Sequence, residues 1–226
     1  GLSILDRLIG HFDEPFADSS AIPTWYVSEV ARRHVTVVLS GDGGDELFGG
    51  YDRYLPHPRV ARFDRLPIPG ARPAAGAIWP LLPHGVRGKN FLRHVSRDDN
   101  GRYLDSVSFF QPDEKAALYA PDTRRALAGW DAEAPLRAQF ARFAALSPHS
   151  RMMRVDFETY LPEDVLTKVD RMSMAHSIES RVPLLDNRVI EFAATLPSGM
   201  KIREGRRKHI LKEAVRTLLP AGILDR

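Results

Sequence analysis

The stretch Val35 to Tyr51, reading VTVVLSGDGGDELFGGY, constrains the chain more than any other. Val35 to Leu39 is a short β-branched and apolar run, the composition of a strand buried on both faces. It ends at Ser40-Gly41, and three carboxylates, Asp42, Asp45 and Glu46, then stand among Gly41, Gly43 and Gly44. Glycines allow backbone angles that other residues resist and let main-chain N–H groups approach a ligand. From Glu46 the chain is expected to turn helical through Leu47 and Phe48. A buried strand feeding a Gly-rich acidic turn is where open α/β sheets place ligands, at the carboxyl ends of the strands. Two readings stay open on these residues alone: a ligand site, and an acidic surface turn that is Gly-rich for conformational reasons. Three common motifs are excluded. No Lys-Ser/Thr follows the glycines as in a Walker loop, Glu46 occupies the third glycine of the dinucleotide fingerprint, and the oxygen ladder of an EF-hand is missing.

Three further segments accompany LSGDGGDELFGGY. They are FDEPFADSSAIPTW (Phe12 to Trp25), YLPEDVLTKVDRMSMAHSIESRVPLLD (Tyr160 to Asp186) and GRRKHILKEAVRTLLP (Gly205 to Pro220). Together the four resemble, in order, the synthetase domain of glutamine-dependent asparagine synthetases, and they cover about a third of the chain. The resemblance implies an α/β fold, a parallel sheet flanked by helices of the adenine-nucleotide α-hydrolase type. Within residues 1–226 that fold should be mostly helical, with one or two strands and Val35 to Leu39 central. It also implies that 1–226 is part of a single ATP-dependent synthetase domain. The family's N-terminal glutaminase Cys and its Ser-Gly-Gly-x-Asp-Ser pyrophosphate loop are not in this sequence, so the chain reads as an internal or C-terminal fragment of a larger enzyme. Alone, it is expected to catalyse no ATP–pyrophosphate exchange.

The same resemblance implies the chemistry. Aspartate, ATP and ammonia from glutamine would be the substrates, with Mg²⁺ as cofactor and a β-aspartyl-AMP intermediate. Ser40 and Gly41 would contact the nucleotide, and Asp42 would support formation of the acyl-adenylate. Asp45 matches the Mg²⁺-associated carboxylate, a hard oxygen ligand suited to that ion; the alternative for Asp45 and Glu46 is a cap on the following helix. Lys208 matches the lysine that approaches the phosphates, with Lys168 and Arg171 lining the nucleotide pocket. Arg206, Arg207 and Lys212 are expected to face solvent, and Glu179 with Arg181 to form a structural ion pair. Asp164 is a further candidate carboxylate, whereas His176 shows no metal-ligand spacing.

Composition limits the alternatives. Hydrophobic residues make up 43% of the 226, enough to bury a sizeable core. With 32 basic against 29 acidic residues the bias is too small to argue for nucleic acid. No apolar run has the length of a membrane span. Cysteine is absent, which excludes disulfides, Cys-based metal sites and a Cys nucleophile within the chain. The expected setting is cytoplasmic, and the full-length enzyme could pair as a homodimer. The competing readings are a related amidotransferase acting on another carboxylate, in polysaccharide or exosortase-linked systems, and a fragment that is non-catalytic in isolation.

The rest of the chain reads as helices. One spans Leu2 to Phe12, and another follows a cap at Ser19 or Ser20 and carries Trp25, Tyr26, Val30 and Ala31. Tyr54 to Pro83 is a Pro- and Gly-rich winding connection with short helical pieces, and Asn90 to Ala120 has mixed periodicity and no assignment. Further helices are read over Asp122 to Leu127, Pro135 to Leu146, Arg151 to Leu161 and Asp164 to Ile178. The last two are Asn187 to Leu196, with Val189, Ile190, Phe192 and Ala193 inward, and Arg207 to Leu219.

Overall fold

A computed structural model describes residues 4–83 and 85–224. The chain divides into two compact units, Gly1–Tyr51 with Met153–Arg226, and Asp52–Met152. Helices dominate both. The described residues form a single two-stranded parallel sheet, β1 (Val37–Leu39) beside β2 (Glu179–Arg181), with Val37 opposite Glu179 and Leu39 opposite Arg181.

In the first unit the helix Leu5–Phe12 repeats its apolar residues every fourth position, so Leu8 and Phe12 fall on one stripe. With Ile4 they pack against Ala21, Trp25 and Met172. Trp25, 1% exposed, is the largest side chain of this cluster; burying such a ring contributes roughly 2–3 kcal/mol. A second cluster joins Leu47, Phe48 and Ala193 to Leu185, Val189, Ile190, Ile210 and Leu211, and so ties the acidic turn to the C-terminal helices.

Several expectations are corrected here. The strand begins two residues late and is not buried: Val35 and Val37 are exposed and Leu39 is 73% exposed. A parallel strand loses its surface to burial only with a neighbour on each side and helices over both faces. Among the described residues β1 has one neighbour, so it is an edge and not the centre. The second strand is too short and too polar (Glu-Ser-Arg) to announce itself by pattern. It takes over where the helix read as Asp164 to Ile178 breaks down into a π-turn (Leu161–Leu166), a helix (Thr167–Met174) and Ser177 at φ 56°. Ser20 does not cap its helix through its own side chain; Asp18 instead accepts from the Ser20 amide (2.8 Å) and hydroxyl (2.7 Å). Phe192 is exposed. The last helix shortens to His209–Ala214, leaving Leu218 and Leu219 exposed. Leu2 and Ser3 lie outside the described residues, and the first helix starts at Leu5.

The second unit resolves the unassigned stretch into three helices, Lys89–Ser96, Asp99–Val107 and Pro112–Leu118. Local chemistry accounts for two of them. Asp98 accepts from the Gly101 amide at 2.8 Å, and Gln111 with Glu114 forms a capping box behind Pro112. Val60, Ala75 and Val95 form the apolar centre, with Phe63, Phe91 and Leu92 around it. Two arginine–carboxylate networks support it. Arg102 takes Asp64 with both terminal guanidinium nitrogens (2.7 and 2.9 Å), and Arg93 and His94 share Asp105 (2.7 and 2.8 Å).

Candidate functional site

The acidic turn is built by backbone demands. Gly43 takes a left-handed conformation (φ 78°) before the helix Gly44–Phe48, and a Cβ there would run into Leu185. Neither Asp45 nor Glu46 caps that helix, which has no side-chain cap. Its single turn closes when the Gly49 and Gly50 amides both donate to the Asp45 carbonyl at 2.9 Å. Those two glycines bring the chain back across its own carboxylates.

At the carboxyl end of β1, the Ser40 amide donates to the Arg181 carbonyl (2.9 Å) and extends the pairing with β2 by one residue. The Ser40 hydroxyl donates to Asp42 Oδ2 at 2.7 Å and holds that carboxylate in place. Gly41 is exposed, with open space where a side chain would stand. Ser40, Gly41 and Asp42 thus form an accessible rim at the strand end.

Behind the rim, Asp45 Oδ1 meets Lys208 Nζ at 2.9 Å, both side chains about a third exposed. Two unusual backbone features set this pair. Lys208 sits at φ 52°, ψ 32°, a left-handed conformation that costs a non-glycine residue roughly 1–2 kcal/mol. Gly50 leaves the room: a Cβ at that position would collide with the Asp45 carboxylate and the Lys208 side chain. Arg207, expected in solvent, donates from Nη1 to the Gly50 carbonyl at 3.1 Å and pins the loop. Beside Lys208, a cavity of about 280 Å³ is lined by Arg206, Arg207, His209, Lys212 and Arg216, together with Glu213.

Glu46 went unassigned beyond a possible cap role, and the structure gives it a distinct place. It is 2% exposed, and Tyr51 donates to its Oε1 at 2.6 Å, while Oε2 has no partner among the described residues. Burial raises its pKa above the ordinary carboxylate value, and the nearby Asp45 and Asp156 add to the rise. Burial and the Glu46 carboxylate likewise push the Tyr51 phenol upward. The sequence signal was available: a Glu and a Tyr flanking an apolar Leu-Phe pair on one tight turn.

A second constellation surrounds Lys168. Its Nζ lies 2.6 Å from Asp18 Oδ2, and both groups are largely buried. Burial works to raise the Asp18 pKa, but Lys168 and Ser20 outweigh it and hold the carboxyl below its usual range. Asp164, in the π-turn Leu161–Leu166, is raised by burial and then by the Asp18 charge, and its Oδ2 is buried without a partner. π-turns recur at functional positions. Lys168 is therefore committed to a carboxylate, and Arg171, expected beside it at the nucleotide, stands at the surface 3.5 Å from Asp13. Glu179 and Arg181 form the expected ion pair (2.7 Å), both exposed. His176 packs edge-on against Trp25, consistent with an ordinary role.

Of the residues singled out from sequence, Ser40 is joined to Asp42 and Asp45 to Lys208, while Lys168 and Arg171 each pair with a different acid. Among the described residues no group of three His, Asp or Glu side chains is placed to hold a metal ion. Asp45 alone supplies an accessible carboxylate in the acidic turn beside a cation. That fits an ion such as Mg²⁺, which takes one or two carboxylates and completes its shell with phosphates and water.

The sequence model of the asparagine synthase family matches residues 1–226. The chain is 35% identical over 98% of its length to asparagine synthetase [glutamine-hydrolyzing] 1 of Bacillus subtilis (strain 168). It is 38% identical over its whole length to the putative asparagine synthetase [glutamine-hydrolyzing] of Mycobacterium tuberculosis (strain ATCC 25618 / H37Rv). More distantly, it is 25% identical over 93% of its length to amidase chry2 of Gibberella zeae, 35% of which it covers. The chain spans 34% of the length of the two synthetases. No solved structure is matched.

Proposed function

Because the chain belongs to the asparagine synthase family, we propose that it is the ATP-dependent synthetase part of a longer, glutamine-hydrolysing asparagine synthetase. On this reading residues 1–226 form part of one synthetase domain, and the match running unbroken through both compact units supports it. In the first step an oxygen of the aspartate side-chain carboxylate bonds to the α-phosphorus of ATP. The bond to the bridging oxygen of the β-phosphate breaks, and pyrophosphate leaves. In the second, ammonia adds to the acyl carbon and AMP departs with its oxygen, the surplus proton passing to solvent.

The observation that carries the reading is the arrangement at the strand end: the Ser40–Asp42 rim, with the Asp45–Lys208 pair packed behind it against Gly50. Ser40 and Gly41 contact the nucleotide, the open space over Gly41 allowing backbone approach. Asp42, oriented by the Ser40 hydroxyl, supports adenylate formation and then faces the incoming amine. Lys208 draws the phosphates toward the basic cavity next to it, trading part of its contact with Asp45 for the greater charge of a triphosphate. Lys168, oriented by Asp18, and Arg171, on releasing its 3.5 Å contact with Asp13, are the further cations proposed for the nucleotide. Asp45 is the carboxylate that would hold Mg²⁺, which when bound neutralises phosphate charge against the attacking anion. No helix among the described residues is long and apolar enough to cross a membrane, and the proposed setting is the cytoplasm.

The test is an assay of the full-length protein with ATP, Mg²⁺ and aspartate, supplied with glutamine or with ammonium. The expected result is AMP and asparagine in equal amounts from either nitrogen source. ADP in place of AMP would remove the adenylate. AMP formation that requires a carboxylic acid other than aspartate would move the protein to the related-amidotransferase reading.

A further inference from the structure

The cavity of about 280 Å³ beside Lys208 is walled mainly by bases, and its single acid is Glu213. That acid is already engaged. Arg216 donates to both of its oxygens, from Nε to Oε2 at 2.9 Å and from Nη2 to Oε1. Arg207 reaches out of the wall to the Gly50 carbonyl. The side chains of Arg206, His209 and Lys212 make no hydrogen bond or ion pair among the described residues. Like charges gathered in one concavity raise a positive potential that only an anion relieves.

The backbone sets this wall at some cost. The Arg203 amide donates to the Arg206 carbonyl (3.1 Å) and the Arg206 amide to the Arg203 carbonyl (2.8 Å). Both central residues of that turn have positive φ, Glu204 at 53° and Gly205 at 78°, the signature of a type I′ turn. Lys208 follows at φ 52°. A left-handed backbone at two non-glycine residues within five positions persists only where the surroundings impose it, and such residues gather at ligand clamps. Here the turn delivers Arg206 into the wall, and the bend at Lys208 starts the helix that carries His209 and Lys212.

The size of the cavity narrows the ligand. Pockets for drug-sized molecules run from roughly 300 to 1,000 Å³, so about 280 Å³ falls short of a base, a ribose and a chain of phosphates together. The wall also offers no aromatic ring besides His209 for a base to stack on. A small anion of high charge fits, because charge-assisted contacts from several cations are available and arginine matches phosphoryl oxygens in pairs.

We propose that this cavity is a pyrophosphate site, which takes the leaving group of adenylation on Arg206, His209 and Lys212 and holds it apart from the nucleotide. The inference rests on the adenylation reading for the origin of the pyrophosphate. Arg207, in the cavity wall and bonded to Gly50, joins the site to the acidic turn.

The test is calorimetric titration of the full-length protein with inorganic pyrophosphate and Mg²⁺, without ATP, beside orthophosphate and AMP. One equivalent of pyrophosphate is expected to bind, at least tenfold more tightly than orthophosphate. Arg206→Met and Lys212→Met should each weaken it at least tenfold, and saturating AMP should leave its affinity within about twofold. Circular dichroism checks that Lys212→Met still folds; if it does not, Arg206→Met, at an exposed side chain without contacts, decides alone. No pyrophosphate binding, or binding that neither variant weakens, overturns the proposal. So does displacement of pyrophosphate by AMP, which would mean one shared site, or orthophosphate binding of equal strength, which would mean a simple anion site. Because the readout is binding without turnover, its failure leaves the adenylation assay untouched, and failure of that assay leaves the binding result standing.

Discussion

The two units differ in their buried carboxylates: among the described residues the two whose pKa is raised, Glu46 and Asp164, both lie in the unit that holds the acidic turn. In Asp52–Met152 the acids whose pKa shifts are all lowered, with arginines beside them. Arg102, joined by Arg72, holds the Asp64 carboxyl down to about 2. Asp105 stays below its usual range because His94, Arg93 and Arg97 together outweigh the burial that would raise it. In the unit holding the acidic turn, Glu46 and Asp164 are raised, and each keeps one buried oxygen without a partner. Other acids there are lowered, Asp18 by Lys168 and Ser20, Asp186 by Arg188 and Glu213 by Arg216. Glu133 in the other unit also keeps one buried oxygen without a partner among the described residues, so the difference lies in the direction of the shifts. A carboxylate matched to a guanidinium stabilises the fold and can do little else. One buried with spare capacity destabilises the fold and is retained where chemistry is expected.

Substitutions can break or sharpen this contrast. The largest effect is expected at Gly50→Ala, where the added methyl must displace the Asp45 carboxylate and the Lys208 side chain. AMP formation by the full-length protein should fall by about a hundredfold, the usual cost of an ångström-scale misplacement. Next comes Lys208→Met, which on the proposed reading removes one charge-assisted contact to the phosphates, worth roughly 1.5–3 kcal/mol. Aspartate-dependent AMP formation should drop about ten- to hundredfold at fixed ATP. A variant within twofold of wild type would place the phosphates elsewhere.

Glu46→Gln tests the raised acid. Burial lifts the folded pKa of Glu46 above its ordinary 4.5, so its protonated form is favoured on folding. Its contribution to stability is whole below the unfolded value and declines as pH rises through the folded one. A glutamine keeps an acceptor for Tyr51 and never ionises. Thermal melts should coincide near pH 4, and by pH 8 the variant should melt higher than the wild type. A variant less stable at pH 8 than at pH 4, relative to wild type, would mean Glu46 is stabilised as a carboxylate.

The smallest effect, and the opposite sign, belongs to Asp64→Asn. A depressed pKa gives stability that is present above the unfolded value near 3.8 and lost as pH falls toward about 2. The variant should melt lower at pH 7, by an amount corresponding to at most about 1 kcal/mol, as is usual for ion pairs reached by solvent. The gap should close in acid.

What could be read from sequence follows the same division. The turn, its glycines and the Ser40-Gly41-Asp42 rim were legible because glycine requirements and carboxylate clustering are local. The ends of the helices Asn187–Thr195 and Pro121–Ala126 were close to expectation for the same reason. Local pattern could not supply what depends on distant partners. The apolar run at Val35 to Leu39 signals a buried strand, yet exposure depends on neighbours that pattern does not count. Lys168 and Lys208 looked alike as cations, and only the fold gives one to Asp18 and the other to Asp45. Arg207 belonged by pattern to a solvated face, and a single carbonyl across the turn, that of Gly50, makes it part of the support.

The account rests most heavily on Asp42 acting in adenylate formation at the end of β1. The direct measurement is Asp42→Ala in the full-length protein, with AMP formation and glutamate release followed in the same reaction. Aspartate-dependent AMP should be lost while glutamine continues to be hydrolysed. AMP formation that persists, or a parallel loss of both products in a protein that still folds, would contradict the assignment.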